Sequence, residues 1–426
     1  MKFRSKLTSV CIAALAGVSM SGQSAHAAGF YLQEQSAVAM GSAFAGASAL
    51  ARNASILYHN PAAMTDLDGG QFSVNADYLY PEADFTDKGS TTVGGGFING
   101  VDSNDPTPSV ILGNAYLAYP VWEEELWLGI GFSTPFGLST QYHANWFGRL
   151  DSTESALETY DVQPSFAWQV NNWLSVGGGV NVQYIDAELV AQVTDTLSFG
   201  RSKLTGSDWS LGWNAGVLIE PNEQTNIGVH YRSKIYHKLD GRILVTGLVV
   251  PGQSIDTGGN ADADLPDILS FGISHELTDS WTLLAQANWF GWSSFKDLTV
   301  FLDTGALAST VEQNFEDTMS FAFGAEYSWS DELTLRFGYQ YDETPTVDEF
   351  RTTRIPDGDR HNFGAGMSYD LSDNIVFNFS GLLSLMEAAP ISLNRNPAGV
   401  PAGIRVEVEK EPSSTAILSA GISYRF

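Results

Sequence analysis

The carboxy-terminal segment constrains the fold of this chain more than any other feature of its sequence. Between Ala416 and Phe426 apolar residues fall on every second position, and serine, glycine and arginine occupy most positions between them. Successive side chains of a β-strand point to opposite faces. An alternating last strand that ends in an aromatic residue is typical of the closing strand of a bacterial outer-membrane barrel. The segment therefore predicts a strand with one face toward lipid and one toward a polar lumen.

The amino terminus indicates export. Three basic residues in the first six positions precede an apolar stretch from Leu7 to Val18, and residues 25–27 read Ala-His-Ala. The stretch is shorter than the ~20 apolar residues of a spanning helix. We therefore assign residues 1–27 to a signal peptide of the Sec pathway, cleaved after Ala27. The single cysteine, Cys11, lies inside it, so the mature chain has no disulfide or thiolate chemistry.

The charge of the chain excludes one class of partner. The formal charge is −28, and removal of residues 1–27 takes away three basic residues and no acidic ones, which leaves −31. A nucleic-acid partner is excluded at this charge because phosphate binding depends on basic residues. The mature sequence also has no apolar run of spanning length, as expected of a barrel in which lipid-facing and lumen-facing residues alternate. A soluble, secreted β-protein with an acidic surface is the alternative.

The connections between the predicted strands favour the barrel. Six short polar turns, such as 170–173 and 371–375, alternate with long stretches rich in Gly, Pro, Asp, Ser and Thr. Short periplasmic turns and long external loops alternate in this way in outer-membrane barrels. The predicted fold is all-β, a transmembrane antiparallel β-barrel of about 14 strands. The predicted strands are 71–80, 112–121, 126–134, 159–170, 173–186, 207–220, 224–237, 265–277, 281–292, 315–329, 333–342, 360–371, 375–386 and 414–426.

The segment between the signal peptide and the first strand is too long and too apolar for a simple leader. Residues 28–68 contain an Ala- and Gly-rich stretch as well as aromatic residues such as Phe30, Phe44 and Tyr58. A disordered tail would be depleted in aromatics. We expect residues 28–68 to form an N-terminal hatch, or plug, inside the lumen of a barrel made by residues 69–426.

These segments carry a resemblance to a known family. The matching elements include Ala28-Gly29-Phe30, Asn60-Pro61-Ala62-Ala63-Met64 and Ile355-Pro356-Asp357-Gly358-Asp359-Arg360, and they spread over residues 28–426. In these elements the chain resembles the FadL/TodX-type outer-membrane transporters of long-chain fatty acids and other hydrophobic compounds.

The resemblance implies a mechanism and residues to carry it. A hydrophobic ligand would bind at a tight site that Gly29 and Phe30 line, facing the hatch. Asn60, Pro61 and Ala62 would form the hatch element near a gap in the barrel wall. The ligand would then leave sideways into the membrane, because a water-filled pore would not offer its methylenes the ~0.8 kcal/mol each that burial contributes.

The wall gap is implied to lie at a kink in the third strand. The predicted third strand contains Gly129 and Gly131, and glycines inside a strand weaken it and permit a bulge or bend. We interpret them as the kink of the lateral opening. The alternative is that both glycines only admit close packing by the hatch.

The ligand and partners follow from the resemblance only in part. We expect a hydrophobic small molecule, contact with outer-membrane lipid and lipopolysaccharide, a monomer, and no cofactor or metal. The ligand is a fatty acid or, alternatively, an aromatic or alkane hydrocarbon; a general porin is less favoured. A carboxylate would need a cation, although each candidate is more simply explained as the partner of an acid in the lumen. The candidates are Arg149, Arg232, Lys234, Arg336 and Arg360.

Enzymatic and calcium-binding functions are not favoured. The sequence has none of the hydrolase or nucleotide-binding motifs, and the only local trio is His143 with Ser139 and Asn145. The acidic loop segments 102–105 and 262–264 fit no calcium-loop pattern, so solvated charge is the preferred interpretation.

Overall fold

The computed structural model describes residues 29–92, 96–122, 125–194, 198–249, 254–395 and 404–426. The expected signal peptide lies outside these ranges. Two short α-helices, α1 (Ala37–Gly41) and α2 (Ile56–His59), and two 3₁₀ helices (Pro61–Asp66 and Trp292–Ser294) accompany the strands. The strands are β1 Gln71–Glu82, β2 Asp84–Asp87, β3 Thr91–Thr92, β4 Ser103–Asn104, β5 Val110–Trp122, β6 Leu126–Ser133, β7 Gly137–Gln141, β8 Glu154–Asn171, β9 Leu174–Thr194, β10 Phe199–Asn222, β11 Thr225–Arg232, β12 Ile235–Thr246, β13 Ile255–Leu265, β14 Ile268–Thr278, β15 Trp281–Phe290, β16 Asp297–Leu302, β17 Leu307–Glu312, β18 Thr318–Ser328, β19 Leu333–Asp342, β20 Arg360–Ser372, β21 Ile375–Met386, β22 Ile391–Arg395, β23 Ile404–Lys410 and β24 Ser413–Arg425.

The strands close into one antiparallel barrel. The first wall strand pairs with the last, with Gln71 opposite Arg425 and Glu82 opposite Ser414. Within the described ranges nineteen strand segments form this sheet. They make fourteen wall strands, because β6–β7, β11–β12, β13–β14, β15–β16 and β17–β18 each continue one another. The prediction of a fourteen-stranded barrel is confirmed.

The two faces of the wall differ as the alternating pattern predicts. In β24, Leu418 is 63% exposed, whereas the next residue, Ser419, is 4% exposed and points into the barrel. The outward residues are mostly large and apolar, and a membrane-spanning barrel presents such residues to lipid. In the described part of the chain no helix is long and apolar enough to cross a membrane.

The amino-terminal segment lies inside the barrel. Helix α1 packs against β20 and β21, and the 3₁₀ helix after Asn60 packs against β8, β9 and β10. Ser36 is the N-cap of helix α1, and its hydroxyl accepts a hydrogen bond from Ala39 N at 3.3 Å; serine is a preferred N-cap residue. The 3₁₀ helix begins with Pro61, which suits the first position of a helix because proline has no N–H to leave unpaired.

A small sheet covers the end of the barrel that carries the long connections. Strands β22, β23, β2 and β4 pair in that order, and β3 joins β23. Ile404 of β23 packs in one buried cluster with Trp146 and Phe147. The sequence predicts loops here, because these segments are short and interrupted by Gly, Pro and Asp. The prediction is wrong for β23, in which Ile404, Val406 and Val408 alternate with charged residues.

Candidate functional site

An aromatic cluster surrounds Phe30 near the amino-terminal end of the described chain. The Phe30 side chain is 1% exposed. Its ring centroid lies 4.8 Å from Trp292, 5.4 Å from Phe295 and 6.0 Å from Phe136. Edge-to-face and tilted pairs at these separations are favourable beyond their buried area. The hatch and two different parts of the wall therefore meet in one apolar contact.

Gly29 fits this place because a side chain there would have no room. Its backbone has φ +66°, and an added Cβ would lie 2.9 Å from the Trp292 ring. Its N–H donates to Asp357 Oδ2 at 2.7 Å. Asp357 also pairs with Arg360 and accepts from the Thr344 hydroxyl. The downstream Pro-Asp-Gly-Asp-Arg segment thus holds the start of the hatch.

Phe30 borders the main apolar cavity of the described structure. The space between its lining residues amounts to about 870 Å³, and this figure includes open solvent at the mouth. Apolar side chains form most of its wall, and Arg242 and Arg354 are also among its lining residues. Arg242 is paired with Asp256 at 2.6 Å, while Arg354 donates to the backbone oxygen of Asp151 at 2.6 Å. The apolar residues include Leu138, Leu157, Leu189, Leu239, Ile243 and Phe295.

The third wall strand is interrupted beside this cavity. Strand β6 ends at Ser133 and β7 begins at Gly137. The hatch pairs with the intervening residues: Leu32 N donates to Pro135 O at 2.8 Å, and Gly137 N donates to Phe30 O at 2.9 Å. Residues 133–140 are all buried. The residues on either side of Tyr31 therefore complete the wall where the strand itself is broken.

Gly129 and Gly131 lie before this break, in uninterrupted pairing with β5 and β8. An added Cβ on Gly129 would lie 2.8 Å from Met64 Sδ, and one on Gly131 would lie 3.0 Å from Leu57 Cδ2. The structure thus places the interruption at 134–136 rather than at the two glycines. The glycines contact the hatch, which is the alternative that we considered for them.

Asn60, Pro61 and Ala62 fix the hatch to the wall. Asn60 is fully buried, and its amide nitrogen donates to Ser48 O at 2.8 Å and to Val217 O at 3.1 Å. Its Oδ1 accepts from Ala62 N at 3.1 Å. One side chain therefore joins two parts of the hatch to β10. The three residues lie apart from the Phe30 cavity, on the inner faces of β8, β9 and β10.

An ionic contact anchors the middle of the hatch. Arg52 NH2 lies 2.8 Å from Glu326 Oε2 on β18, and Arg336 on β19 holds the other oxygen of the same carboxylate. Glu326 is buried, and a buried carboxylate needs such partners.

The proposed cations all have partners. Arg336 and Arg360 are paired as described above, Arg232 lies 3.3 Å from Asp161, and Lys234 lies 3.6 Å from Asp267. Arg149 donates to Gln192 Oε1 at 2.8 Å. The sequence prediction does not include the two arginines of the cavity, Arg242 and Arg354, because it assigns their outer segments to loops. The His143 trio does not assemble, since Ser139 is buried and His143 is exposed.

A closed antiparallel barrel with a filled lumen and an apolar cavity at its outer end defines an outer-membrane β-barrel protein. A family model described as "Outer membrane protein transport protein (OMPP1/FadL/TodX)" matches residues 18–426. The chain belongs to this family, and the resemblance drawn from the sequence is confirmed.

Three relatives illustrate the match. The chain is 27% identical over 392 residues to the long-chain fatty acid transport protein of Escherichia coli O6:H1, covering 84% of this chain and 86% of the relative. The solved structure of a Pseudomonas aeruginosa FadL homologue has a TM-score of 0.86 at 23% identity, covering 94% of this chain and 100% of that one. The Ralstonia pickettii toluene transporter TbuX has a TM-score of 0.67 at 21% identity, with coverage of 91% and 97%. At these identities the two structures show the fold.

Proposed function

We propose that this protein imports hydrophobic compounds, foremost long-chain fatty acids, across the bacterial outer membrane. The observation that carries the proposal is the apolar cavity whose inner end is formed by Phe30 of the hatch. The functional unit is one monomeric barrel, exported with its signal peptide 1–27 and embedded through its apolar outer face in lipid and lipopolysaccharide. The names of the relatives, which cover fatty acids and toluene, support this ligand class.

The ligand path follows from the contacts of residues 30–32. A ligand that fills the cavity meets the Phe30 ring, and the Phe30 and Leu32 backbone groups close the strand break at 134–136. Displacement of this segment unpairs both hydrogen bonds and opens the wall to lipid. Residues 28–68 thus act as a movable hatch, and the opening lies three residues beyond Gly131, whose role with Gly129 is to receive the hatch.

The two arginines of the cavity favour a carboxylate ligand over a neutral hydrocarbon. A hydrocarbon gains nothing from a guanidinium group, whereas charge-assisted hydrogen bonds to a carboxylate contribute about 1.5–3 kcal/mol. Arg354→Gln is expected to weaken oleate binding about tenfold and to leave toluene binding unchanged. If toluene binds and oleate does not, the ligand is a hydrocarbon and the arginines serve only their present partners.

The binding step is tested with Phe30→Ala in the purified barrel. An apolar contact of the size of a phenylalanine ring contributes about 1.5–3 kcal/mol, so saturable binding of oleate and of toluene is expected to weaken at least tenfold. Phe97→Ala is the matched control, because Phe97 is 77% exposed and lies outside the cavity. Equal binding by both variants refutes the proposed role of Phe30. Binding of neither ligand, together with steady single-channel conductance, indicates a porin and refutes the proposed function.

The exit step is tested with a reversible cross-link. Tyr31 and Phe136 form an antiparallel β-bridge, and residues so paired have Cα atoms about 4.5–5.5 Å apart, within the range of a disulfide. The Tyr31→Cys/Phe136→Cys variant is expected to bind oleate when oxidised but to import it only when reduced. Import by the oxidised form shows that the ligand leaves elsewhere. Both single variants serve as controls for the loss of the aromatic rings.

A further inference from the structure

A second, smaller cavity lies beyond Tyr31, nearer the short-turn ends of the wall strands. Hatch residues form one side of it, and β11, β14 and β15 form the other. Its lining differs in kind from that of the Phe30 cavity because polar side chains dominate. They include Gln33, His59, His230, Arg232, Gln286 and Asn288. We call this space the polar chamber.

Two imidazole nitrogens in the polar chamber have no partner. His230 is 4% exposed, and its Nε2 makes no hydrogen bond within the described structure; the same holds for Nε2 of His59. An unpaired buried polar group costs about 1–3 kcal/mol. Burial, together with nearby Arg232, lowers the pKa of His59 to about 3, so this imidazole is neutral and can donate one N–H. Both rings therefore offer unused hydrogen-bonding capacity to a polar guest.

Arg232 gives the polar chamber a cationic side. Its guanidinium lies 4.4 Å from the centre of the Tyr58 ring. It donates to Gln163 Oε1 at 2.9 Å and lies 3.3 Å from Asp161. These partners lie on β8 and on the hatch, and they fix the position of the guanidinium group. Arg232 also lines the chamber.

The polar chamber adjoins the closed break in the wall. Tyr31 lines the chamber and also bridges to Phe136 in the break. Gln163, the partner of Arg232, stands opposite Gly131 in the pairing of β6 with β8. A molecule with its head in the chamber could thus extend its tail from Tyr31 toward residues 134–136.

We propose that the polar chamber is a second binding site, which receives the carboxyl head group of an amphipathic ligand between the Phe30 cavity and the wall break. The inference rests on the proposed function. Arg232 supplies the charge, and the imidazoles of His59 and His230 supply N–H groups. A carboxylate leaving water needs such partners, since an unpaired ion is costly in a low-dielectric interior. The head group is held while the tail enters the membrane.

The test compares an amphipathic with a neutral ligand. His59→Leu/His230→Leu removes both unpaired imidazoles and leaves the charged groups, Arg232 and its partner Asp161, in place. Arg232→Gln/Asp161→Asn removes the cation together with its acidic partner, so that no buried charge is left unpaired. His275→Leu is the control for loss of a histidine, because His275 bonds to Thr225 at 2.9 Å and does not line the chamber.

Import of oleate and of toluene is measured in cells, and oleate binding is measured in the purified barrel. In both double variants oleate import is expected to fall about tenfold, with toluene import unchanged and oleate affinity within about twofold of the parent. Unchanged oleate import, or equal loss for oleate and toluene, overturns the chamber proposal. If the parent imports toluene but not oleate, the chamber proposal also fails while hydrophobic import stands. If Phe30→Ala leaves both imports intact, the proposed function itself fails.

Discussion

The fit of the hatch depends on glycines that face inward from the wall, and Gly364 on β20 gives the sharpest test. A Cβ added there would lie 2.5 Å from Met40 O, 2.6 Å from Ala43 N and 3.1 Å from Ala43 Cα. All three atoms belong to the hatch backbone, and the first two form a hydrogen bond of 2.9 Å with each other. The three atoms nearest to the new methyl group of Gly364→Ala thus all belong to the hatch.

The size of the effect follows from these distances. Ordinary contact begins at 3.4 Å, so the hatch must retreat by 3.4 − 2.5 = 0.9 Å. Overpacking of this kind costs about 1–3 kcal/mol, and loss of the Met40–Ala43 bond adds about 1 kcal/mol. A total near 3 kcal/mol shifts the balance between docked and displaced hatch by roughly a hundredfold.

The displaced hatch is detected as a leak. Cells with Gly364→Ala are expected to become sensitive to a large hydrophilic antibiotic, and the purified barrel to show conductance in a planar bilayer. Gly381→Ala is the control, because its nearest neighbour would be 3.7 Å away. A closed, non-conducting Gly364→Ala barrel at normal surface level refutes the argument that the glycine is required for hatch docking.

Three further predictions concern the hatch. Arg52→Met removes the tether to Glu326 and is expected to speed hydrogen exchange of the hatch amides about tenfold, at a cost of about 1–2 kcal/mol; unchanged exchange contradicts the tether. Burial raises the pKa of Glu34 from 4.5 to about 7, so the folded protein binds a proton that the unfolded chain has released. Glu34 contributes up to about 3 kcal/mol to the free energy of unfolding below about pH 4.5, and this contribution is lost as the pH rises through about 7. Glu34→Gln is expected to abolish this loss in melting curves at pH 5 and 8, and a parallel fall in both proteins contradicts it. Gly29→Ala is expected to weaken oleate binding about tenfold, because the new methyl group meets Trp292 at a positive φ; parent-like affinity contradicts that expectation.

The wall strands were predictable because each has one face toward lipid and one toward the lumen. The predicted strand 126–134 becomes Leu126–Ser133, and 414–426 becomes Ser413–Arg425. The outer extensions were not predictable by this pattern. Strand β9 runs to Thr194 and β10 starts at Phe199, whereas predicted strands stop at 186 and start at 207. Above the membrane, charged residues such as Glu188 and Lys203 pair across strands on the outer face, so the alternation of apolar and polar residues disappears.

The candidate site was predictable only on its hatch side. Gly29 and Phe30 could be singled out by resemblance, but their partners come from segments far apart in the chain. Trp292 lies in a 3₁₀ helix between β15 and β16, and Phe136 lies in the broken third strand. A single sequence carries no information on such pairings. Glycines in a strand indicate close approach or a bend equally well, which is why Gly129 and Gly131 could not be assigned from sequence.

Residues 30–32 close the wall, and the first of them, Phe30, also lines the ligand cavity. This double role sets an energetic condition on import. In the proposed mechanism a ligand must displace the Phe30 ring from its aromatic contacts and break the bonds from Leu32 N and to Phe30 O. The two bonds cost about 1–3 kcal/mol together, and exposure of a buried phenylalanine adds about 1.5–3 kcal/mol. Ten buried methylenes contribute about 8 kcal/mol, which exceeds this cost. The burial energy of a ligand with only a few carbons barely equals this cost. Import that depends on displacing residues 30–32 therefore favours ligands with long tails over small hydrocarbons, independently of the groups that bind the carboxyl head.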